Sequence, residues 1–203
     1  VNMVTGYLKP DTGKILHDGR DITRLEPRHV TRLGIHRSFQ IPQIFPELSV
    51  LDNMMIALGI AVSAKPNAWR PLYHADMVAS ADEALTRFSI DDYRDQMVGK
   101  LPQGVRKLLD IAMAMAGDTS LLLLDEPTSG VSADEKGAMM DTIMAALEGE
   151  GMTLFFVEHD MEVVFKLADR ITVLHRGRVI ADGEPEEVRQ NAEVQNAYLG
   201  GFD

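Results

Sequence analysis

The run Leu121-Leu122-Leu123-Leu124-Asp125-Glu126-Pro127-Thr128 places two adjacent carboxylates directly after four apolar residues. Such an apolar run suits a strand buried on both faces of a parallel sheet. The carboxyl end of that strand is where open α/β sheets place their ligands, so Asp125 and Glu126 emerge at a site-forming edge. In nucleotide hydrolysis an Asp so placed holds Mg²⁺, and a second carboxylate orients or deprotonates the attacking water. The plainer alternative is a buried strand capped by two solvated acids. A second apolar strand, Thr153-Leu154-Phe155-Phe156-Val157, runs into Glu158-His159-Asp160. In a parallel sheet its carboxyl end shares an edge with Asp125 and Glu126, where His159 could meet a γ-phosphate and an in-line water. His159 alone is equally a loop residue before a helix. The acidic cluster around it lacks His-Glu-x-x-His spacing, which argues against a dedicated transition-metal site.

The elements that must position these groups alternate along the chain. Residues 1–5 read as the end of a helix closed by Gly6. Lys14–His17 reads as a short strand followed by an Asp18-Gly19 hairpin signal. Pro27 suits the first turn of a helix that Gly34 ends, and Ile35–Phe39 is a strand running into a loop at Gln40. Residues 50–116 carry a helical pattern with breaks near Lys65-Pro66-Asn67 and Leu101-Pro102. From Leu121 onward strands and helices alternate: helices at 133–148 and Met161–Leu167, a strand pair at Arg170–Leu174 and Arg178–Ala181, and two short closing helices. That alternation implies an α/β sheet. The helical middle reads as an inserted subdomain, giving a core of 1–49 and 118–203 around 50–117.

Composition narrows the classes. The 203 residues carry 31 acidic and 20 basic side chains, a net charge of −11. That balance argues against a nucleic-acid module, which needs clustered Lys and Arg on phosphates. Cysteine is absent, so there is neither a disulfide framework nor a thiolate site. The longest apolar stretch, Met54–Val62, is far short of the ~20 residues that cross a bilayer.

The ordered set Phe39-Gln40, Leu101-Pro102-Gln103-Gly104, Leu121–Pro127 and Val157-Glu158-His159-Asp160 resembles the ATP-binding subunits of ABC transporters over nearly the whole chain. The resemblance implies a RecA-like P-loop NTPase core with an inserted helical subdomain. It makes Gln40 the Q-loop glutamine, which senses Mg²⁺ and the γ-phosphate beside the membrane-subunit contact. Asp125 becomes the Mg²⁺-holding aspartate, Glu126 the catalytic glutamate and His159 the switch histidine. Gln103 and Gly104 fall in the signature segment that faces a second subunit's ATP. A finer likeness, in Arg37-Ser38-Phe39-Gln40, Ile44–Asn53 and the ending Gly183–Val188 to Ala197–Gly200, is to the branched-chain amino acid importer group. Relatives in that group also handle urea and short amides.

Three departures stand out. A phosphate-cradling G-x-x-x-x-G-K-[ST] loop is absent from the sequence: Gly13-Lys14 and Gly99-Lys100 are its Gly-Lys pairs, and neither precedes Ser or Thr. Since Asn2–Gly6 resembles the helix after that loop, the chain is expected to begin just downstream of it. The preceding strand and an adenine-stacking aromatic would then lie upstream. On that expectation the 203 residues alone bind ATP poorly and are inactive, and an apolar sheet edge is left unpaired. In the signature segment, Pro102 replaces a hydroxyl and an N–H donor that would reach phosphate, which weakens the site. Gly104 alone would be an ordinary helix-entry turn. Ser132 replaces the usual Asp of the loop after Glu126.

The resemblance therefore implies an ATP-hydrolysing subunit of an importer, peripheral on the cytoplasmic face of the membrane. ATP and Mg²⁺ are its cofactors. Expected partners are permease subunits docking near Gln40–Leu48, a second ATP-binding subunit, identical or not, and indirectly an extracytoplasmic solute-binding protein. Two other readings remain open. One is a non-catalytic coupling subunit; the other is a soluble ABC ATPase of nucleic-acid metabolism, against which the net acidity and the short 41–100 segment count.

Overall fold

In a computed structural model, residues 1–38, 43–62 and 74–199 are described. Compact packing divides the chain into two units, Val1–Val157 and Glu158–Asp203.

In the first unit, β1 (Leu16–His17) and β2 (Arg20–Asp21) pair antiparallel across a turn at Asp18 and Gly19. Both turn residues have positive φ, 49° and 75°, the twist a two-residue hairpin requires. Residues 1–5 form a single turn, with the Thr5 N–H donating to the Val1 carbonyl at 3.1 Å, and Gly6 closes it at φ 79°. A short helix α1 (Pro27–Thr31) leads through Gly34 into β3 (Ile35–Ser38). Strands β4 (Leu121–Asp125) and β5 (Thr153–Val157) complete a parallel sheet in the order β3-β4-β5. The register sets Ser38 beside Leu124 and Asp125 beside Val157. Leu122, Leu123 and Leu124 are at most 1% exposed. Each such side chain contributes about 1.5–3 kcal/mol of transfer free energy. Phe155 and Val157 of β5 are by contrast 47% and 40% exposed.

Between β3 and β4 the described elements are helical: α2 (Val50–Val62), α3 (Ala75–Arg87), two 3-10 turns at Asp91–Tyr93 and Val98–Lys100, and α4 (Gln103–Ala114). Ser49 and Asp52 start α2 reciprocally. The Asp52 N–H donates to Ser49 Oγ at 3.0 Å, and the Ser49 N–H donates to Asp52 Oδ2 at 3.1 Å, satisfying donors a helix start leaves free. Apolar faces of these helices bury Met54, Met55, Leu85, Phe88, Leu109 and Ile111. Helix α5 (Ala133–Leu147) follows β4, with Met140 and Ile143 buried.

The second unit holds α6 (Met161–Leu167), a hairpin of β6 (Ile171–His175) and β7 (Arg178–Gly183), α7 (Pro185–Gln190), the one-turn α8 (Ala192–Val194) and a π turn at Gln195–Leu199. Arg176 and Gly177 make the hairpin turn, both at positive φ. Ile171, Val173, Val188 and Val194 form its core. A capping box between Glu184 and Glu187 starts α7, and the Arg189 guanidinium lies 4.7 Å over the Phe165 ring. Among the described residues no helix is long and apolar enough to cross a membrane.

Candidate functional site

Asp125 ends β4 at the carboxyl edge of the parallel sheet. Its Oδ2 accepts a hydrogen bond from Arg37 Nη2 at 2.6 Å, and the carboxylate remains 28% exposed. Arg37, one residue before the end of β3 and 11% exposed, also donates from Nη1 to Asn2 Oδ1 at 2.5 Å. One guanidinium thus ties the amino-terminal turn to the strand end. A partly exposed carboxylate at this edge is a hard oxygen donor of the kind Mg²⁺ takes alongside phosphate oxygens and water, so Asp125 fits the ion.

Glu126 follows with φ at 49°, a left-handed backbone that costs a non-glycine residue about 1–2 kcal/mol. Three hydrogen bonds hold it there. Its N–H donates to the Val157 carbonyl at 2.9 Å. Its own carbonyl accepts from the Ser129 N–H at 3.1 Å and from Lys107 Nζ at 2.8 Å. Thr128, two residues further on, is fully buried. Strained backbone of this kind clusters at active sites, ligand clamps and switch regions.

Helix α4 supplies the second part of the site. Pro102 is its cap residue, and Gln103 and Gly104 form its first turn. Space around Gly104 is open: an added Cβ would meet nothing within 4 Å. The Gln103 side chain instead lies over Gly130, where a Cβ would sit 2.9 Å from its Nε2. Further along α4, Lys107 and Asp110 are 3% and 6% exposed. Asp110 accepts from Ser38 Oγ at 2.6 Å and from the Gln43 N–H at 2.9 Å. It therefore fixes both flanks of the segment that contains Gln40, which itself lies outside the described residues. Ser132, at the start of α5, donates from Oγ to Glu135 Oε2 at 2.6 Å.

The loop after that segment is clamped as well. Asn53, fully buried in α2, accepts the Phe45 N–H at 2.8 Å and donates to the carbonyls of Phe45 and Ser49 at 3.0 and 2.8 Å. The loop thereby presents a Phe45 side chain that is 49% exposed. A groove of about 530 Å³ lies at the opposite edge, by the amino ends of β3 and β4, lined by Arg32, Gly34, Arg87, Asp118 and Glu150 among others. Among the described residues, none of the sequence-predicted site residues lines it.

His159 belongs to the second unit, in the residue pair just ahead of α6. Its side chain is 70% exposed, with Nδ1 3.9 Å from Glu158 Oε2. Asp160 caps α6 by accepting the Val163 N–H at 3.5 Å. The structure thus brings Asp125, Glu126 and the α4 segment together in one unit and places His159 in the other.

A family model described as ABC transporter matches residues 1–129. The chain belongs to that family. A second model, for the branched-chain amino acid ATP-binding cassette transporter, matches residues 178–203. Among curated relatives, a probable branched-chain amino acid transport ATP-binding protein LivG of Archaeoglobus fulgidus is 34% identical over 100% of this chain and 80% of its own length. The high-affinity branched-chain amino acid transport ATP-binding protein BraF of Pseudomonas aeruginosa is 31% identical over 98% and 80%. The solved structure of MJ1267, an ATP-binding cassette of an ABC transporter, superposes with a TM-score of 0.80 at 28% identity, covering 96% of this chain and 80% of that one. Its ADP conformation gives 0.79 at 30% identity, covering 98% and 81%. The RecA-like α/β fold of ABC ATPase domains is accordingly the fold of this chain.

Sequence reasoning does not single out Arg37, Lys107, Asp110 and Asn53 as site residues. In α4 the polar positions 103, 107 and 110 fall at i, i+4 and i+7, a stripe that reads as a solvated helix face. Lys107 and Asp110 in that stripe are nevertheless buried, whereas Gln103 at its start stays exposed.

Proposed function

We propose that this chain carries the catalytic core of an ATP-hydrolysing importer subunit, serving branched-chain amino acids or related small solutes. The observation that carries the reading is Glu126, held by three hydrogen bonds in a left-handed turn directly beyond Asp125. In this reading the Glu126 carboxylate orients the attacking water and takes its proton as the water oxygen bonds to the γ-phosphorus. The bond from that phosphorus to the β–γ bridging oxygen breaks, leaving ADP and phosphate. His159 holds the γ-phosphate and the water in line. Asp125 and Gln40 would hold Mg²⁺, which would supply charge neutralisation at the phosphate oxygens when bound. Arg37 keeps the Asp125 carboxylate in place between turnovers.

Two such subunits would sandwich two ATP molecules, the Gln103-Gly104 turn of each completing the other's site with the amino end of a twelve-residue helix. Open space at Gly104 supports that role. Residues 50–117 form the helical subdomain, and 1–49 with 118–203 the core. Permease subunits dock at Gln40–Leu48, where the clamped loop offers Phe45 as an apolar anchor. The subunit works peripherally at the cytoplasmic face, with an extracytoplasmic binding protein delivering solute to the permeases.

The test reconstitutes the complete gene product with its permease subunits and binding protein in liposomes. ATP-dependent uptake of leucine is expected. Hydrolysis without leucine uptake but with uptake of urea or a short amide would correct the solute class, and absence of hydrolysis would overturn the reading.

A further inference from the structure

Lys107 is a buried cation that the hydrolytic scheme leaves without a task. It is 3% exposed, and its Nζ donates to the backbone carbonyl of Glu126 at 2.8 Å. A Lys is almost never fully buried unless its charge is engaged, so this placement is costly and specific. Its target is a residue whose φ of 49° is itself unfavourable. One turn earlier on the same helix face, Gln103 covers Gly130, four residues beyond Glu126. One turn later, Asp110 holds Ser38 and Gln43. A single face of α4 therefore grips the Glu126–Gly130 turn at both ends and the end of β3 as well.

We propose that Lys107 is a positioning residue for hydrolysis: by fixing the Glu126 carbonyl it sets the backbone turn that aims the Glu126 carboxylate. This rests on the reading of Glu126 as the water-orienting group. The physical consequence is that α4, whose first turn is the segment offered to a second subunit's ATP, is tied through the charged Lys107 hydrogen bond to the catalytic residue of its own subunit. If the Lys107 bond is lost, the left-handed turn keeps its local bonds to Val157 and Ser129 but loses the charge-assisted one. The carboxylate then samples positions displaced from the water. A displacement of about 1 Å from attack geometry costs up to about a hundredfold in rate.

The test measures ATPase kinetics of the complete gene product with its permeases, as wild type, Lys107→Met, Lys107→Arg, Glu126→Gln and the Lys107→Met/Glu126→Gln double variant. Lys107→Met should lower kcat by about tenfold to a hundredfold while KM for ATP changes less than threefold. Lys107→Arg, which retains a cationic donor, should recover at least a third of the wild-type rate. In the Glu126→Gln background, Lys107→Met should cost less than twofold more, because the group it positions is already gone. An equal fold-loss in both backgrounds, or a matching rise in KM, marks a merely structural lysine and overturns the proposal. Wild-type kcat in Lys107→Met, with Glu126→Gln inactive, also overturns it. Near-normal turnover in Glu126→Gln instead overturns the underlying assignment of Glu126.

Discussion

Replacing Asp110 with Ala removes the shared acceptor of the Ser38 hydroxyl and the Gln43 N–H from a position only 6% exposed. Hydrogen bonds to a charged group contribute about 1.5–3 kcal/mol each, so the two bonds together represent roughly 3–6 kcal/mol. Relief from burying a carboxylate offsets part of that loss. The two donors left behind are then unsatisfied, and the expected net destabilisation is about 3 kcal/mol. Asp110→Asn keeps one carbonyl oxygen but turns an NH₂ group toward the other donor, so its cost should fall between wild type and Ala, at about 1–2 kcal/mol. Urea unfolding of the complete subunit measures both losses. Hydrogen exchange at the Gln43 amide reports the local effect and should accelerate in both variants. A shift below about 0.5 kcal/mol for Asp110→Ala, or a larger loss for Asn than for Ala, would refute the account of Asp110 as the acceptor that joins α4 to the flanks of residues 39–42.

Two further outcomes follow from the same structure. Burial holds the His36 imidazole below its ordinary value of 6.5, against hydrogen bonds with the Ala114 and Thr31 backbone that act in the opposite sense. The unfolded chain then binds the proton more readily, so this contribution to stability is complete above about pH 6.5 and is lost as pH falls through the lower folded value. The stability gap between wild type and His36→Gln should narrow from pH 7 to pH 5 in denaturant titrations, and a constant gap would contradict this. Gly34, at φ 79°, has no room for a Cβ, which would stand 2.9 Å from both the Asp118 carbonyl oxygen and Ser120 Oγ. Gly34→Ala should cost at least about 2 kcal/mol in unfolding, whereas Gly13→Ala, at φ 85° in open space, should cost about 1 kcal/mol, the conformational part alone. Equal costs would remove the steric argument.

The parts of the fold that show in the sequence are those where one local pattern has one outcome. Four leucines ahead of two acids suit a buried strand with its polar end outward, and β4 ends at Asp125. Thr153–Val157 and Met161–Leu167 are a strand and a helix with the bounds their patterns predict. The expected strand at Arg170 starts one residue later and its partner extends to Gly183, because pairing with Ile171 and not local propensity decides the end. Residues 1–5, read as a helix end closed by Gly6, form one hydrogen-bonded turn that Gly6 closes at φ 79°. What the sequence hides is tertiary. Lys107 and Asp110 sit in a stripe indistinguishable from a solvated face until the strand ends are laid against it. The left-handed turn at Glu126 likewise carries no sequence mark, because Glu is not a residue that favours it.

In the proposed function, Glu126 is the group through which water attacks ATP. The most direct measurement compares steady-state ATP hydrolysis and ATP-dependent dimerisation of the complete gene product with those of its Glu126→Gln variant. Hydrolysis should fall at least about a hundredfold while ATP still drives the variant into a dimer. Unchanged turnover in Glu126→Gln would contradict it.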